Sequence, residues 1–316
     1  MENLPILYIV VPCYNEQEML PISNEQLTIF VKDLAVKGIV SPDSKTLYVD
    51  DGSQDKTWEL IAGYAHNDPL VTGVKLAGNV GHQNALLAGL TIAKDHADIM
   101  ISIDADLQDD ISVMVDMIEK YKSGCDIVYG VRKQRSTDTW FKRTTALAFY
   151  KLMHKLGVKS VYNHADFRLM SRRAVEQLCR FRERNLFLRG IVPLIGYKSE
   201  NVYYDRKKRI AGESKYPLNK MMNFAVDGIT SFSVKPVRMI LYSGIVFIII
   251  SLFIFLYVLY EYFSDKTVPG WSSLMLSLWF VGGCILVAIG VVGEYIGKIY
   301  IETKDRPRYN IEETIL

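Results

Sequence analysis

Short apolar runs and amphipathic segments alternate along the first 130 residues of the chain. An apolar run of about four to eight residues is typical of a buried strand, and an apolar stripe with a period near 3.6 is typical of a helix. Their alternation predicts right-handed βαβ units and an open α/β sheet, mainly parallel and flanked by helices. The predicted strands lie at 6–11, 46–49, 71–76, 99–103 and 126–129, and the predicted helices at 16–37, 57–66, 83–95 and 111–122.

Two longer apolar stretches lie towards the C-terminus, at 237–260 and 272–292. Each has about 20 residues or more, enough to cross roughly 30 Å of hydrocarbon as a helix. The segment between them carries one lysine against one glutamate and one aspartate, whereas lysine and arginine flank the pair on both outer sides. Since basic flanks favour the cytoplasmic side, the pattern predicts a multi-pass protein of the cell membrane with two spans, a short outer loop and a cytoplasmic N-terminal domain.

Residues 140–156 combine basic and aromatic side chains at helical spacing. Such a helix often lies in the interface between membrane and water. An ordinary surface helix packed on the sheet is the alternative. Residues 218–232 are a second candidate for an interfacial helix, and they lead into the first predicted span.

Length, charge, cysteine spacing and missing motifs limit the number of domains, the partners and the compartment of the protein. The 316 residues allow one domain of about 200 residues and an appendage. A net charge of +2 does not indicate a nucleic-acid partner. The four cysteines are scattered without metal-ligand spacing and fit a reducing compartment. We expect no signal peptide, because no basic-then-apolar leader begins the sequence. The Gly-x-Gly-x-x-Gly pattern of dinucleotide sites is absent after the first strand.

Polar residues follow three of the predicted strands where each strand ends. Pro12-Cys13-Tyr14-Asn15-Glu16 follows the first, Asp50-Asp51-Gly52-Ser53 the second, and Asp104-Ala105-Asp106-Leu107-Gln108-Asp109-Asp110 a later one. The carboxyl ends of strands in open α/β sheets are where ligands bind. Carboxylates one residue apart can hold Mg²⁺ or Mn²⁺, which can hold a diphosphate in turn. The alternative for the third motif is an acidic turn that caps the helix beginning near Ile111.

These three motifs, in this order and spacing, resemble the inverting nucleotide-sugar glycosyltransferases of family 2, over about the first 215 residues. The resemblance implies a Rossmann-like nucleotide-sugar transferase domain. It places nucleoside contacts at Pro12, Tyr14 and Glu16, and a contact to the base at Asp51. It assigns Asp104, Asp106 and Gln108 to the metal and the diphosphate.

A fourth motif, Ala165-Asp166-Phe167-Arg168-Leu169-Met170, also resembles the family. The matching aspartate there is a candidate base or a carboxylate that orients the acceptor. If the acceptor is a lipid monophosphate, its second pKa is about 6, so the phosphate is already largely dianionic near pH 7. Both roles therefore stay open for Asp166. The loop from Gly78 to Gln83 resembles one in bacterial members in which an arginine often replaces Gly78, and we interpret His82 as structural.

Phosphate acceptors call for fixed cations, and the resemblance implies three of them. Arg132 follows the last predicted strand, Arg143 lies on the amphipathic segment, and Arg209 opens a loop similar to one in dolichol-phosphate mannose synthase. Asp166, Asp106 and Arg209 are then the expected catalytic residues. A stretch from Gln177 to Phe181 mimics a motif of processive synthases but lacks its tryptophan, so a helix is predicted there.

Extended to the C-terminus, the resemblance is to polyprenyl-phosphate glycosyltransferases. It implies transfer of glucose or N-acetylglucosamine from a UDP-sugar to undecaprenyl phosphate at the bilayer, with inversion, and a homo-oligomer. A processive membrane polysaccharide synthase and a non-catalytic membrane scaffold remain the alternatives. The expected organisation is a cytoplasmic transferase domain at 1–215, a juxtamembrane segment at 216–236, two transmembrane helices within 237–296 and a cytoplasmic tail at 297–316.

Overall fold

The computed structural model describes residues 4–132, 164–184, 186–205 and 270–316, together with eight positions between 237 and 256. The chain forms two compact units. The first comprises Met1–Tyr150, Lys159–Pro217 and Arg306–Leu316, and the second comprises Lys151–Val158 and Leu218–Asp305. The predicted interfacial segments at 140–156 and 218–232 lie outside the described residues.

The first unit is built on a sheet with the strand order β7-β5-β6-β4-β1-β2-β3-β8. The strands are β1 (Leu7–Cys13), β2 (Lys45–Asp50), β3 (Val71–Leu76), β4 (Ile99–Ser102), β5 (Ile127–Arg132), β6 (His164–Ser171), β7 (Ser199–Tyr204) and β8 (Ile311–Ile315). The helices of this unit are α1 (Leu20–Val36), α2 (Thr57–Asn67), α3 (His82–Ala93), α4 (Val113–Lys122), α5 (Arg172–Cys179) and α6 (Leu188–Ile191), followed by a 3₁₀ turn (Val192–Ile195).

The predicted α/β class is confirmed, and the sheet is mostly parallel. Within the described residues, β3, β2, β1 and β4 form a parallel block, and β5 pairs with β7 in parallel. Strand β6 runs antiparallel between β4 and β5. This inserted strand was not predicted, and it places Asp166 beside the end of β4.

Buried apolar faces hold the helices against the sheet. All seven residues of β1 are buried, as expected for a central parallel strand. Helix α3 approaches the sheet closely at Gly89, where an added Cβ would lie 2.5 Å from Val10 Cγ1 and 2.7 Å from Val49 Cγ2. Since any larger side chain would push α3 away from β1 and β2, Gly89 sets the position of this helix, which begins at His82.

The end of the chain belongs to the sheet. Strand β8 pairs antiparallel with β3, and the backbone N–H of Ala77 donates to the carbonyl of Asn310 at 2.9 Å. An ion pair of 3.0 Å between Lys75 and Glu312 joins the same two strands. The expected tail at 297–316 therefore contains an edge strand that sequence analysis missed.

The second unit contains helix α7, Trp271–Thr303. Among the described residues, Phe280–Thr303 is the one helical segment that is long and apolar enough to span a membrane. None of its most apolar stretch is buried. The predicted span at 272–292 falls within α7. The predicted span at 237–260 lies outside the described residues except at eight scattered positions, all of them helical.

Candidate active site

The ends of β1 and β2 are joined by hydrogen bonds between the first two motifs. The N–H of Asn15, a residue with a φ of 53°, donates to Ser53 Oγ at 2.9 Å, and Asn15 Oδ1 accepts from the Gln54 N–H at 2.8 Å. Pro12 is buried within β1, whereas the side chain of Tyr14 is exposed at the sheet edge. Glu16 accompanies them, with its N–H donating to Thr57 Oγ1 at 2.9 Å. The three residues expected to contact the nucleoside thus lie at the carboxyl end of β1. Their roles stay predictions.

Asp51 holds the loop that leads into α3. Its carboxylate is almost fully buried and accepts from the N–H groups of Val80 at 2.7 Å and Gly81 at 3.0 Å. Burial raises the pKa of Asp51 although both N–H groups favour the ionised form. At Gly52, with a φ of +65°, an added Cβ would lie 2.6 Å from backbone atoms of the same loop. Asp51 therefore has a structural role beside its predicted contact to the base.

The acidic motif after β4 presents oxygen atoms at the same edge. Asp106 Oδ1 accepts from the N–H of Gln108 at 3.3 Å, and the intervening Leu107 has a φ of 45°. The side chain of Asp104 is 40% exposed at this edge and lies beside His82. Asp110 accepts from the N–H of Ser112 at 3.2 Å in the turn before α4, whose N-cap residue is Ser112, so its carboxylate supports this turn and does not cap the helix.

The donor set fits a hard divalent cation. Asp104 and Asp106 supply carboxylate oxygens and Gln108 an amide oxygen, the ligand types of Mg²⁺ and Mn²⁺. Within the described residues, no group of three or more His, Cys, Asp and Glu side chains has the arrangement of a metal site. An ion here would complete its coordination with water and phosphate oxygens, as Mg²⁺ commonly does.

His82 faces two carboxylates of the cleft. Its Nε2 lies 3.5 Å from Asp104 Oδ1 and 3.9 Å from Asp166 Oδ2. This histidine, for which the sequence indicates a structural role, lies between the acidic motif and the fourth motif, and its role stays a prediction. Because His82 is the first residue of α3, the loop held by Asp51 also sets its position.

Two arginines that sequence analysis did not select clamp Asp166. Arg168 Nη2 lies 2.5 Å from Asp166 Oδ1, and Arg189 Nη2 lies 2.9 Å from Oδ2. Burial alone would raise the pKa of Asp166, but the charges of Arg189 and Arg168 outweigh it and hold this pKa well below its usual range. Ser102, at the end of β4, donates to the carbonyl of Asp166 and fixes its backbone.

Sequence periodicity could have identified one of these arginines. Asp166 and Arg168 are two residues apart, and such residues share a face of a strand. Arg189 carried no such signal, because the contact depends on the placement of α6 beside β6. A strand pattern around Asp166 would therefore have predicted that Asp166 and Arg168 lie on the same face.

Arg132 is paired within the protein. It donates to Asp109 Oδ1 at 3.1 Å and to the Tyr204 hydroxyl at 3.3 Å, and Tyr204 donates to the same carboxylate at 2.6 Å. Asp109 is almost fully buried, so this network offsets its charge. Arg132 keeps a side-chain exposure of 24%. Its predicted contact with an acceptor phosphate stays a prediction.

Two further predicted cations, Arg143 and Arg209, lie outside the described residues. The predicted helix around Gln177 is confirmed, because α5 extends to Cys179.

Comparison with known protein families identifies the class of this fold and site. The model of "Glycosyl transferase family 2" matches residues 8–179, which include the first three motifs and Asp166. The chain belongs to glycosyl transferase family 2.

Full-length relatives extend the similarity through the C-terminal unit. "Uncharacterized glycosyltransferase YkoT" of Bacillus subtilis (strain 168) is 56% identical over 98% of this chain and 92% of its own length. The "Prophage bactoprenol glucosyl transferase homolog" of Escherichia coli (strain K12) is 42% identical over 96% and 97%. The "Bactoprenol glucosyl transferase" of Shigella phage SfII is 42% identical over 97% of both chains.

Proposed function

We propose that this protein transfers one glucose from UDP-glucose to undecaprenyl phosphate, with inversion, at the cytoplasmic face of the cell membrane. The observation that carries the proposal is the similarity to bactoprenol glucosyl transferases over nearly the whole of both chains, bactoprenol being undecaprenol. The cleft supports it, because Asp104, His82 and Asp166 meet at one edge of the sheet. The relatives' names favour glucose over N-acetylglucosamine.

The chemistry needs a nucleophile and a stabilised leaving group. An oxygen of the acceptor phosphate attacks the anomeric carbon as the bond from that carbon to UDP breaks, and UDP leaves with the bonding electrons. A Mg²⁺ or Mn²⁺ ion held by Asp104, Asp106 and Gln108 would offset the charge on the departing diphosphate. Attack from the face opposite UDP converts an α-linked donor into a β-linked product.

Asp166 is poorly suited to act as a base. Arg168 and Arg189 hold its pKa well below the usual range, so it binds a proton only weakly. The acceptor phosphate, with a second pKa of about 6, is already largely dianionic at pH 7 and has little need to lose a proton. An orienting role for Asp166 is consistent with both facts.

The pairing of β8 with β3 supports two membrane spans. Because β8 is hydrogen-bonded into the sheet of the first unit, residues 311–315 lie on the same side of the membrane as the site. If α7 crosses the bilayer, the chain must cross it an even number of times between β7 and β8. The apolar stretch at 237–260 is the candidate for the second crossing, and the basic flanks favour a cytoplasmic site. A homo-oligomer remains part of the proposal.

The test is a reaction of purified full-length protein with undecaprenyl phosphate, Mg²⁺ or Mn²⁺ and separate UDP-sugars, followed by mass analysis of the lipid. We expect the mass of one hexose to be added with UDP-glucose and no product with UDP-N-acetylglucosamine. Products with several sugars per lipid would indicate a processive synthase instead. Absence of any product would contradict catalysis on this acceptor.

A further inference from the structure

The trio of Asp166, Arg168 and Arg189 carries more positive than negative charge. Arg168 donates to Oδ1 of Asp166, and Arg189 contacts both oxygens, with Nε 3.3 Å from Oδ1 and Nη2 2.9 Å from Oδ2. Two guanidinium groups thus face one carboxylate here, and His82 separates that carboxylate from Asp104. A guanidinium beside such a cleft can hold an anionic ligand through charge-assisted hydrogen bonds.

The two arginines differ in their access to a ligand. The side chain of Arg168 is 2% exposed, and its Nη1 lies 3.4 Å from the carbonyl of Leu188. Arg189 is 32% exposed beside the same carboxylate. The buried arginine therefore serves as the internal partner of Asp166, and Arg189 is the one a ligand can reach.

Contacts of the neighbouring residue Leu188 fix the backbone position of Arg189. Helix α6 begins at Leu188, whose N–H donates to Gln83 Oε1 at 2.7 Å and whose carbonyl faces Arg168. Gln83 follows His82 in the first turn of α3 and thus lies next to the residue that faces Asp104. Arg189 is held relative to the acidic motif through these contacts.

We propose that Arg189 binds a phosphate oxyanion of the reacting groups and that Asp166 is a positioning residue that orients its guanidinium. The inference rests on the proposed function and adds a phosphate-binding residue to that site. The contacts of Asp166 with both Nε and Nη2 fix the plane of the guanidinium. A planar, permanently charged guanidinium suits phosphate, which it can bind with two hydrogen bonds. The phosphate is either the diphosphate of the donor or the monophosphate of the acceptor.

A double-mutant cycle tests whether Asp166 acts through Arg189. We expect Arg189→Gln and Asp166→Asn each to lower kcat/KM by about 100-fold, the scale of lost oxyanion contacts. The double variant should be little worse than the more impaired single variant, because residues that act as a unit have non-additive effects. Losses that multiply would overturn the positioning role of Asp166.

Two binding measurements distinguish the two phosphates. A raised KM for UDP-glucose and weaker binding of UDP in Arg189→Gln would assign the donor diphosphate. A raised KM for undecaprenyl phosphate with unchanged UDP binding would assign the acceptor. Arg189→Lys should retain part of the activity, since it keeps the charge but loses the planar fork. Wild-type values for both substrates in folded Arg189→Gln would overturn the inference.

Arg172→Gln is the matched control, because Arg172 pairs with Asp98 on the surface, with a side chain 44% exposed. It should match wild type in both KM values. Thermal unfolding of each variant shows whether a loss of activity reflects a loss of folding. Substitution of Arg189 should disturb folding less than substitution of Asp166, because Arg168 still pairs with Asp166. If wild-type protein glucosylates no lipid, the proposed function fails, and direct binding of UDP and of undecaprenyl phosphate then decides the inference: wild-type affinity for both in Arg189→Gln overturns it, and weakened affinity for either supports it.

Discussion

Nε2 of His82 lies 3.5 Å from Oδ1 of Asp104, which joins the start of α3 to the acidic motif at the end of β4. The loop before His82 is in turn held by Asp51 through two backbone N–H groups. Through these contacts the second and third sequence motifs position one another. The ends of β2 and β4 are therefore joined through the start of α3 at one edge of the sheet.

The first prediction separates the two interpretations of the acidic motif. Asp106→Ala should abolish glucosyl transfer in folded, membrane-bound protein, because loss of a metal ligand removes several kcal/mol of transition-state stabilisation. Asp110→Ala should retain most of the activity, since Asp110 accepts from the Ser112 N–H near the start of α4. Steady-state rates with a titration of Mg²⁺ and Mn²⁺ measure both. Full activity of Asp106→Ala, or of wild type in excess chelator, would refute the metal assignment.

The second prediction concerns Arg132, which has a structural partner and a predicted ligand. Arg132→Gln should raise the KM for undecaprenyl phosphate. Tyr204→Phe should lower the free energy of unfolding by about 1 kcal/mol, the scale of one lost hydrogen bond, and leave that KM unchanged. Comparable KM values in both variants and in wild type would mean that Arg132 only balances the buried Asp109.

The third prediction follows from the depressed pKa of Asp166. A carboxyl whose pKa is lower in the folded state stabilises the protein above its unfolded pKa of about 3.9, and this contribution is lost as the pH falls through the folded value. Asp166 should therefore stay ionised from pH 5 to 9, with no titration of its own in the rate profile. Asp166→Asn should remain impaired at every pH, with a profile of the same shape. Recovery to the wild-type rate at pH 8.5 would instead restore the general base.

The fourth prediction tests the C-terminal strand. Deletion of residues 311–316 removes the pairing of β8 with β3 and leaves an exposed sheet edge. We expect a lower thermal midpoint and weaker UDP binding, because β3 leads directly into the loop held by Asp51. Glu312→Gln is the control: it removes an ion pair with Lys75 that is half exposed on the glutamate side, and such pairs contribute about 0–1 kcal/mol. An unchanged midpoint after deletion would show that β8 does not stabilise the sheet.

Local pattern was sufficient to predict β1 to β5 and the three motifs at their ends, because buried strands and their polar ends are encoded in neighbouring residues. It was not sufficient for β8, which is polar in sequence and becomes a strand only because β3 offers an open edge. The contact of Arg189 with Asp166 spans 23 residues and depends on tertiary packing. The pairing of Arg132 with Asp109 was hidden for the same reason, since a sequence cannot show which charges are already neutralised.

The anomeric linkage of the isolated lipid product tests the central claim most directly. Wild-type protein should yield undecaprenyl phosphate carrying one glucose, joined to the phosphate in the β configuration, as read from the coupling of the anomeric proton in the NMR spectrum. An α linkage would contradict inverting transfer. A glucose chain, or a lipid without sugar on its phosphate, would contradict single transfer to this acceptor.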